Sequence, residues 1–412
     1  LMSGVMIKMG IYGMVRFYAI LRPPGPGCAM LLILTGAVTG VLGVVLALGQ
    51  HDLKRLLAYH SVENIGIIVL GLGIGMLGAA TGHPLMALLG FAGGLLHVLN
   101  HALFKSLLFM GAGSVQRGAA TLNIEQLGGL MKRMPLSGTC FLAGSLAICG
   151  LPPFNGFVSE FLIYSGGFQG VANSEAQLFT ALAAVISLAV IGGLAVACFT
   201  KVVGVVFLGE PRSEKAKEAT PAGRCMQAAM VLLAVACLGI GLGAPWFIAL
   251  ARRAAGPLLA TPTPMPAPLH TATYAIALAA AGFLLLLAIL AAGRGLLAHG
   301  RPAESATWSC GFSSPTPRMQ YTGSSFAAEI VGFYRPFVII RRDFSGIHGL
   351  FPPLSSFRSH TIDLVELGMR RWLARSVMAL TGKIRWLQHG HIQLYIAYIF
   401  FAMLGLLLWL MV

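Results

Sequence analysis

Residues 86–110 read MALLGFAGGLLHVLNHALFKSLLFM, an apolar run interrupted by His97, His101 and Lys105 at four-residue intervals. The run is long enough to cross a bilayer as one helix, and a spanning helix carries ionisable groups only for a reason. At about 100° per residue the three fall within an ~80° arc of one face and rise ~12 Å along the axis. They form a ladder of proton-holding side chains through roughly a third of the hydrocarbon. Groups of this kind at such depth face a bundle interior and often mark a proton or ion path. Imidazoles bonded to neighbouring carbonyls are the plainer alternative. Zinc on His97 and His101 would lack a third ligand, so no metal site is expected.

The rest of the chain has the same character. Its 412 residues are 57% hydrophobic and 10% charged, with a mean hydropathy of +0.82, which excludes an ordinary soluble domain. The reading is all-α, a polytopic transmembrane helical bundle of about nine spans. These are 2–21, 28–48, 62–80, 84–114, 134–168, 176–209, 224–250, 270–293 and 391–412. The fifth is a broken helix: it runs to Gly150, meets Leu151-Pro152-Pro153-Phe154-Asn155-Gly156 and resumes through Ser159 and Glu160. Two prolines remove two backbone donors, which at membrane depth is tolerated only where the break is buried or lines a polar cavity.

The formal charge is +15, and its distribution follows topology. Loops 49–61, 115–133, 210–224 and 294–390 hold twenty-one of the 28 lysines and arginines, whereas loops 22–27, 81–83, 169–175 and 251–269 hold three. That asymmetry places the basic loops in the cytoplasm and the chain's C-terminal end outside, and it explains the charge better than a nucleic-acid partner does. The seven cysteines, at 28, 140, 149, 198, 225, 237 and 310, show no C-x-x-C and no ligand-like cluster. Neither an iron–sulfur cluster nor a disulfide is expected, and no catalytic residue or cofactor site stands out in this chain.

Further ionisable groups lie inside or at the edge of spans. Lys8 is the single charge in the first part of its helix, where it either snorkels to the interface or sits near mid-membrane. His60 and Glu63 enter the third span three residues apart, close enough to bond as a helical pair. Glu160 follows the Pro-Pro break between Phe, Val and Leu neighbours, and Lys201 lies inside the sixth span, where it joins such a network or snorkels. The polar stretch 294–390 contains an amphipathic helix over 356–387, with Ile362, Val365, Met369, Trp372 and Leu373 on one side. Glu366, Arg370, Arg371 and Arg375 lie largely opposite. Such a helix rests on a membrane surface or along neighbouring spans.

Five motifs occur together: Lys8, HDLKRLLAYHSVENIG at 51–66, LLHVLNHALFKSLLFMGAGSV at 95–115, LPPFNGFVSEF at 151–161, and the late pair WSCGF (308–312) with RMQYT (318–322). Together they resemble the antiporter-like membrane subunits of complex I, Mrp antiporters and energy-converting hydrogenases. Within that group the chain is most similar to the group 4 nickel–iron hydrogenase branch, which includes formate hydrogenlyase subunit 3 and hydrogenase-4 component B. The resemblance implies a charged axis through Lys8, His97, His101 and Lys105, ending at Glu160 on the broken helix. It implies that nickel–iron and iron–sulfur centres belong to partner subunits, and that the chain sits multi-pass in a bacterial or archaeal cell membrane among other membrane subunits. Residues 1–293 then form the antiporter-like domain, 294–390 a cytoplasmic segment and 391–412 a last span. Because the family carries further helices ahead of the one holding Lys8, and Leu1 opens in mid-helix, the chain reads as an N-terminally shortened fragment. The readings left open are a proton-translocating hydrogenase subunit, an Mrp-type cation/proton antiporter subunit, a complex I subunit and a non-conducting membrane anchor.

Overall fold

The computed structural model describes residues 2–22, 25–173, 178–259, 261–297, 312, 314, 316–346, 357–384 and 390–410. Ten helices carry the membrane part: α1 (Lys8–Leu21, preceded by a π-helical turn at Met2–Met6), α2 (Gly27–Leu48), α3 (Leu53–Ala80), α4 (Pro84–Ala119), α5 (Pro135–Ile148), α6 (Asn155–Asn173), α7 (Leu178–Val202), α8 (Arg224–Leu242), α9 (Ala244–Ala255) and α10 (Ala267–Leu297). Their starts follow local chemistry. Asp52 caps α3 by accepting from the Arg55 N–H at 2.8 Å, and prolines open α4 and α5, where the missing N–H costs nothing.

Among the described residues, eight helices are long and apolar enough to cross a membrane. The pair α5–α6 supplies the broken span, so the polytopic bundle stands as expected. Two boundaries differ most: the third span's helix begins at Leu53 instead of 62, and the seventh does not run through. The stretch 224–250 divides at Gly243, and the second part, α9, carries Pro245 in its first turn. Its buried residues are Ala244, Ile248, Ala251 and Ala255, with Trp246 and Leu250 exposed. It is a short amphipathic helix, not the end of a span.

The centre of the bundle is the antiparallel pair α3–α4, with α2 and α7 on one flank, α6 against α4, and α8 and α9 along its other side. Gly66 of α3 faces Gly40 of α2 so closely that a Cβ on Gly66 would stand 2.5 Å from the Gly40 nitrogen. Only glycine permits that approach. Two apolar cores result. One joins Leu56, Leu57, Phe104, Leu108 and Phe141 at the end carrying the basic loops. The other joins Ile67, Ile68, Phe91, Leu96 and Leu162 at the far end.

Beyond α10 come α11 (Gly323–Phe333) and a hairpin of β1 (Ile339–Phe344) with β2 (Phe357–Ile362), antiparallel with Ile339 opposite Ile362. A helical stretch then runs through Leu364–Gly368, a π-helical turn Met369–Ala374 and α12 (Arg375–Ile384), followed by α13 (Ile392–Leu410). This corrects the expectation of a helix from 356: residues 357–362 are a strand. The helix begins only after Asp363, whose carboxylate accepts from the N–H groups of Val365 (2.8 Å) and Glu366 (3.2 Å). Residues 356 and 385–387 of that expected helix, and 308–311 of the late motif pair, lie outside the described residues.

The C-terminal segment is tied to the basic-loop end of the bundle. Thr361 donates to the Gly49 carbonyl (3.2 Å), Tyr59 to Asp363 (3.0 Å) and Arg55 to Glu366 (3.0 Å). Glu125 gathers four separate segments. It bonds His51 (3.1 Å), accepts from the Gly323 N–H at the start of α11 (2.8 Å) and faces Arg212 at 3.7 Å. His51 in turn meets Ser359 of β2 at 3.1 Å. Burial alone would raise the Glu125 carboxyl, but His51, Arg212 and Gly323 outweigh it and hold it below the usual glutamate value.

Candidate functional site

Between the two apolar cores lies a buried polar layer. It contains Lys8 of α1, His60, Ser61, Glu63 and Asn64 of α3, His97, Asn100, His101 and Lys105 of α4, and Asn155, Ser159 and Glu160 of α6, every one of them buried. So many polar groups, withdrawn from water and lipid together, must satisfy one another.

Lys8 and Lys105 are joined through α3. The Lys8 ammonium donates to the Ser3 carbonyl (2.6 Å), and the Ser3 hydroxyl bonds that of Ser61 (2.5 Å). Ser61 also donates to the Leu57 carbonyl (3.2 Å), and that same oxygen accepts from the Lys105 ammonium. The Lys105 nitrogen stands 5.4 Å from the centre of the Phe109 ring, within cation–π reach.

A second line runs from α3 to the broken helix. His60 Nδ1 bonds the Glu63 carboxylate, and the His60 ring lies tilted, 4.6 Å from that of Phe199 on α7. Asn64 donates to the His60 carbonyl (2.8 Å), which leaves its side-chain oxygen to accept from His97 Nε2 at 3.1 Å. His97 Nδ1 meets the Ser159 hydroxyl at 2.9 Å. Ser159 also accepts from Asn100 (2.9 Å) and lies 3.0 Å from the Gly156 carbonyl. Asn100 donates a further bond to the Asn155 carbonyl (2.7 Å), so α4 grips the first turn after the break.

This arrangement gives His97 two states. When Nδ1 carries no proton, the Ser159 hydroxyl donates to it. When Nδ1 is protonated it donates to Ser159, whose own hydrogen turns to the Gly156 carbonyl. Each state satisfies every group in turn, so a proton can be held or passed without breaking the network.

Between His97 and Lys105, both ring nitrogens of His101 are buried without a partner among the described residues, as is His60 Nε2. Phe104 sits against both ladder histidines, 6.1 Å from the His97 ring and 5.5 Å from that of His101.

Glu160 follows Ser159 and lies against the break itself. Gly150, at φ +62°, ends the first half-helix, and a Cβ there would stand 2.5 Å from the Glu160 carboxylate. Glycine serves both needs, the left-handed turn and the close approach. The peptide between Pro152 and Pro153 is cis.

Of the residues singled out in the sequence, Lys8, His60, Glu63, His97, His101, Lys105 and Glu160 fall in this one layer. Lys201 has a different setting. It is fully buried on α7, with its ammonium on the carbonyls of Leu48 (2.6 Å) and Gln50 (3.1 Å), where it neutralises the C-terminal end of α2. Ser3, Ser61, Asn64, Asn100, Asn155 and Ser159 link the layer and were not singled out. The four-residue spacing of His60 and Asn64, which places both on one helical face, was the available signal.

Residues 1–187 match the family model of the transmembrane domain of NADH:quinone oxidoreductases and Mrp antiporters. The chain is 38% identical over 347 residues to formate hydrogenlyase subunit 3 of Escherichia coli, covering 83% of this chain and 55% of that protein. It is 44% identical over 250 residues to hydrogenase-4 component B of the same organism, covering 60% of this chain and 37% of that one. It thus spans roughly a third to a half of those relatives' lengths. The solved structure of the membrane-bound sulfane sulfur reductase, an archaeal respiratory membrane complex, shares the fold. Its TM-score is 0.64 at 20% identity, with 98% of this chain and 62% of that chain covered.

Proposed function

Through residues 1–187 the chain belongs to the NADH:quinone oxidoreductase and Mrp antiporter transmembrane family, and on that footing we propose that it is the proton-translocating membrane subunit of an energy-converting nickel–iron hydrogenase complex of the formate hydrogenlyase type. The observation that carries this reading is the buried polar layer between two apolar cores, reaching from Lys8 to Glu160. A purely structural anchor has no need of that many titratable groups at that depth.

Lys8 and Lys105 act as proton holders at either end of the Ser3–Ser61–Leu57 link. His97 passes protons towards the broken helix by the exchange with Ser159, and Glu160 holds the proton beside Gly150. Water bridges His101, whose nitrogens have no protein partner among the described residues. Electron transfer and hydrogen chemistry belong to partner subunits with nickel–iron and iron–sulfur centres. The setting is a bacterial or archaeal cell membrane, with the basic loops cytoplasmic.

The test uses inverted membrane vesicles containing the whole complex, in which hydrogen evolution and proton movement are measured together. Glu160→Gln and Lys105→Gln are expected to lose most of the proton movement per hydrogen formed, roughly tenfold or more, while the complex assembles and still evolves hydrogen. Proton movement unchanged in both variants would overturn the reading. The family also includes Mrp antiporters, which favours cation/proton exchange as a second reading. Proton movement that requires sodium or potassium would decide for it.

A further inference from the structure

The end of the bundle opposite the basic loops carries three cationic side chains, Arg22, Arg252 and Arg253, and a hydrogen bond ties Arg22 to the turn that follows the other two. Arg252 and Arg253 lie in the last turn of the amphipathic helix α9. Arg22, at the end of α1, donates to the carbonyl of Pro257, four residues further on, at 3.2 Å. The loops at this end contain one acidic residue, Glu175, outside the described residues. Arginine is scarce in the loops at this end, and a cluster of it offers counter-charge to an anion.

The site has a shape as well as a charge. A cavity of about 550 Å³ opens beside Arg252 and Arg253, walled by Leu88 of α4 and by Thr261 and Thr263 after α9. The Nε of Arg252 is buried without a hydrogen-bond partner among the described residues. A second cavity of about 450 Å³ shares Arg252 and runs past Trp246 and Tyr274. On the same short helix Trp246 and Leu250 are exposed by 67% and 47%, the pattern of a helix lying at the membrane–water boundary.

We infer that these cavities form a binding site for one anionic phospholipid, its phosphate held by Arg252 and Arg253 and its acyl chains lying along Trp246 and Leu250. The planar guanidinium matches a phosphodiester through paired N–H donors. The adjoining apolar surface selects a lipid over a free anion or an acidic protein segment.

The complex carrying this chain is purified in uncharged detergent, and the phosphatidylglycerol it retains is counted by lipid extraction and mass spectrometry. The double variant Arg252→Ala with Arg253→Ala is expected to retain about fivefold less for each arginine removed. Arg133→Ala, at the opposite end, is expected to retain as much as the unaltered protein. A measurement without substitutions accompanies this: short-chain phosphatidylglycerol is expected to raise the thermal midpoint of the unaltered complex, whereas short-chain phosphatidylcholine and inorganic phosphate are not. Three results would each overturn the inference. They are undiminished phosphatidylglycerol in the double variant, inorganic phosphate stabilising as well as the lipid, and loss of a neighbouring subunit with the lipid retained.

Discussion

Ser159 shows how much of the site rests on residues without charge. Its hydroxyl is the one group that touches His97, Asn100 and the Gly156 carbonyl together. Ser159→Ala leaves His97 Nδ1 unpartnered and removes the acceptor of an Asn100 bond, at a cost of about 1–3 kcal/mol for the buried groups. Proton movement in vesicles is expected to fall roughly tenfold, with assembly preserved; an unchanged rate would remove Ser159 from the path. The ladder at His97, His101 and Lys105 was legible in the sequence because ionisable groups stand out in an apolar run. Ser159, Asn64 and Asn100 were not, since small neutral polar residues are common in membrane helices and acquire a role only from a partner on another helix.

At the scale of elements, the docking of α11 and the β-hairpin depends on Glu125, a link no local pattern reveals because its partners His51, Arg212 and Gly323 come from three distant segments. The Glu125 carboxyl is held below its ordinary value of 4.5. The stability it contributes is therefore complete above that value and is lost as pH falls through the lower folded value. Acidification through this window is expected to expose residues 316–346 and 357–384 to protease in detergent-solubilised complex. Glu125→Gln should do so at neutral pH, increasing cleavage by roughly fivefold for about 1 kcal/mol lost. Equal cleavage of variant and unaltered protein at neutral pH would show that the segment is held elsewhere. The strand at 357–362 escaped sequence reading for a related reason: its pairing partner and the Thr361–Gly49 bond are remote, while the apolar spacing continues unbroken into the true helix. Asp363, a capping residue followed three positions later by Glu366, was the mark of where that helix starts.

Across the whole molecule, burial is uneven. In α3 and α4 roughly three-quarters of the spanning stretch is buried (78% and 72%), against 6% in α10 and none in α13. Stability is correspondingly concentrated in the α3–α4 pair, and amide hydrogen exchange of the complex is expected to be at least about tenfold slower over residues 53–119 than over 323–346 and 357–384. Uniform exchange would contradict that distribution. The number and apolarity of the helices were legible from composition and run length, since lipid demands internally bonded backbone. Their order around α3–α4 was not, because small-residue contacts such as Gly40 with Gly66 are set by shape alone.

That glycine contact also governs where charge can go. Where Gly36, Gly40 and Gly43 of α2 meet Leu70, Gly66 and Glu63 of α3, the two backbones touch and that flank of the polar layer is closely packed. On the proposed path, a proton held at Glu63 would meet a wall of low dielectric there, its escape towards α2 barred as a conductor is barred by its insulation. A side chain at position 66 would pry the two helices apart, and the fault it creates is an electrical leak, visible as proton permeability in vesicles at rest.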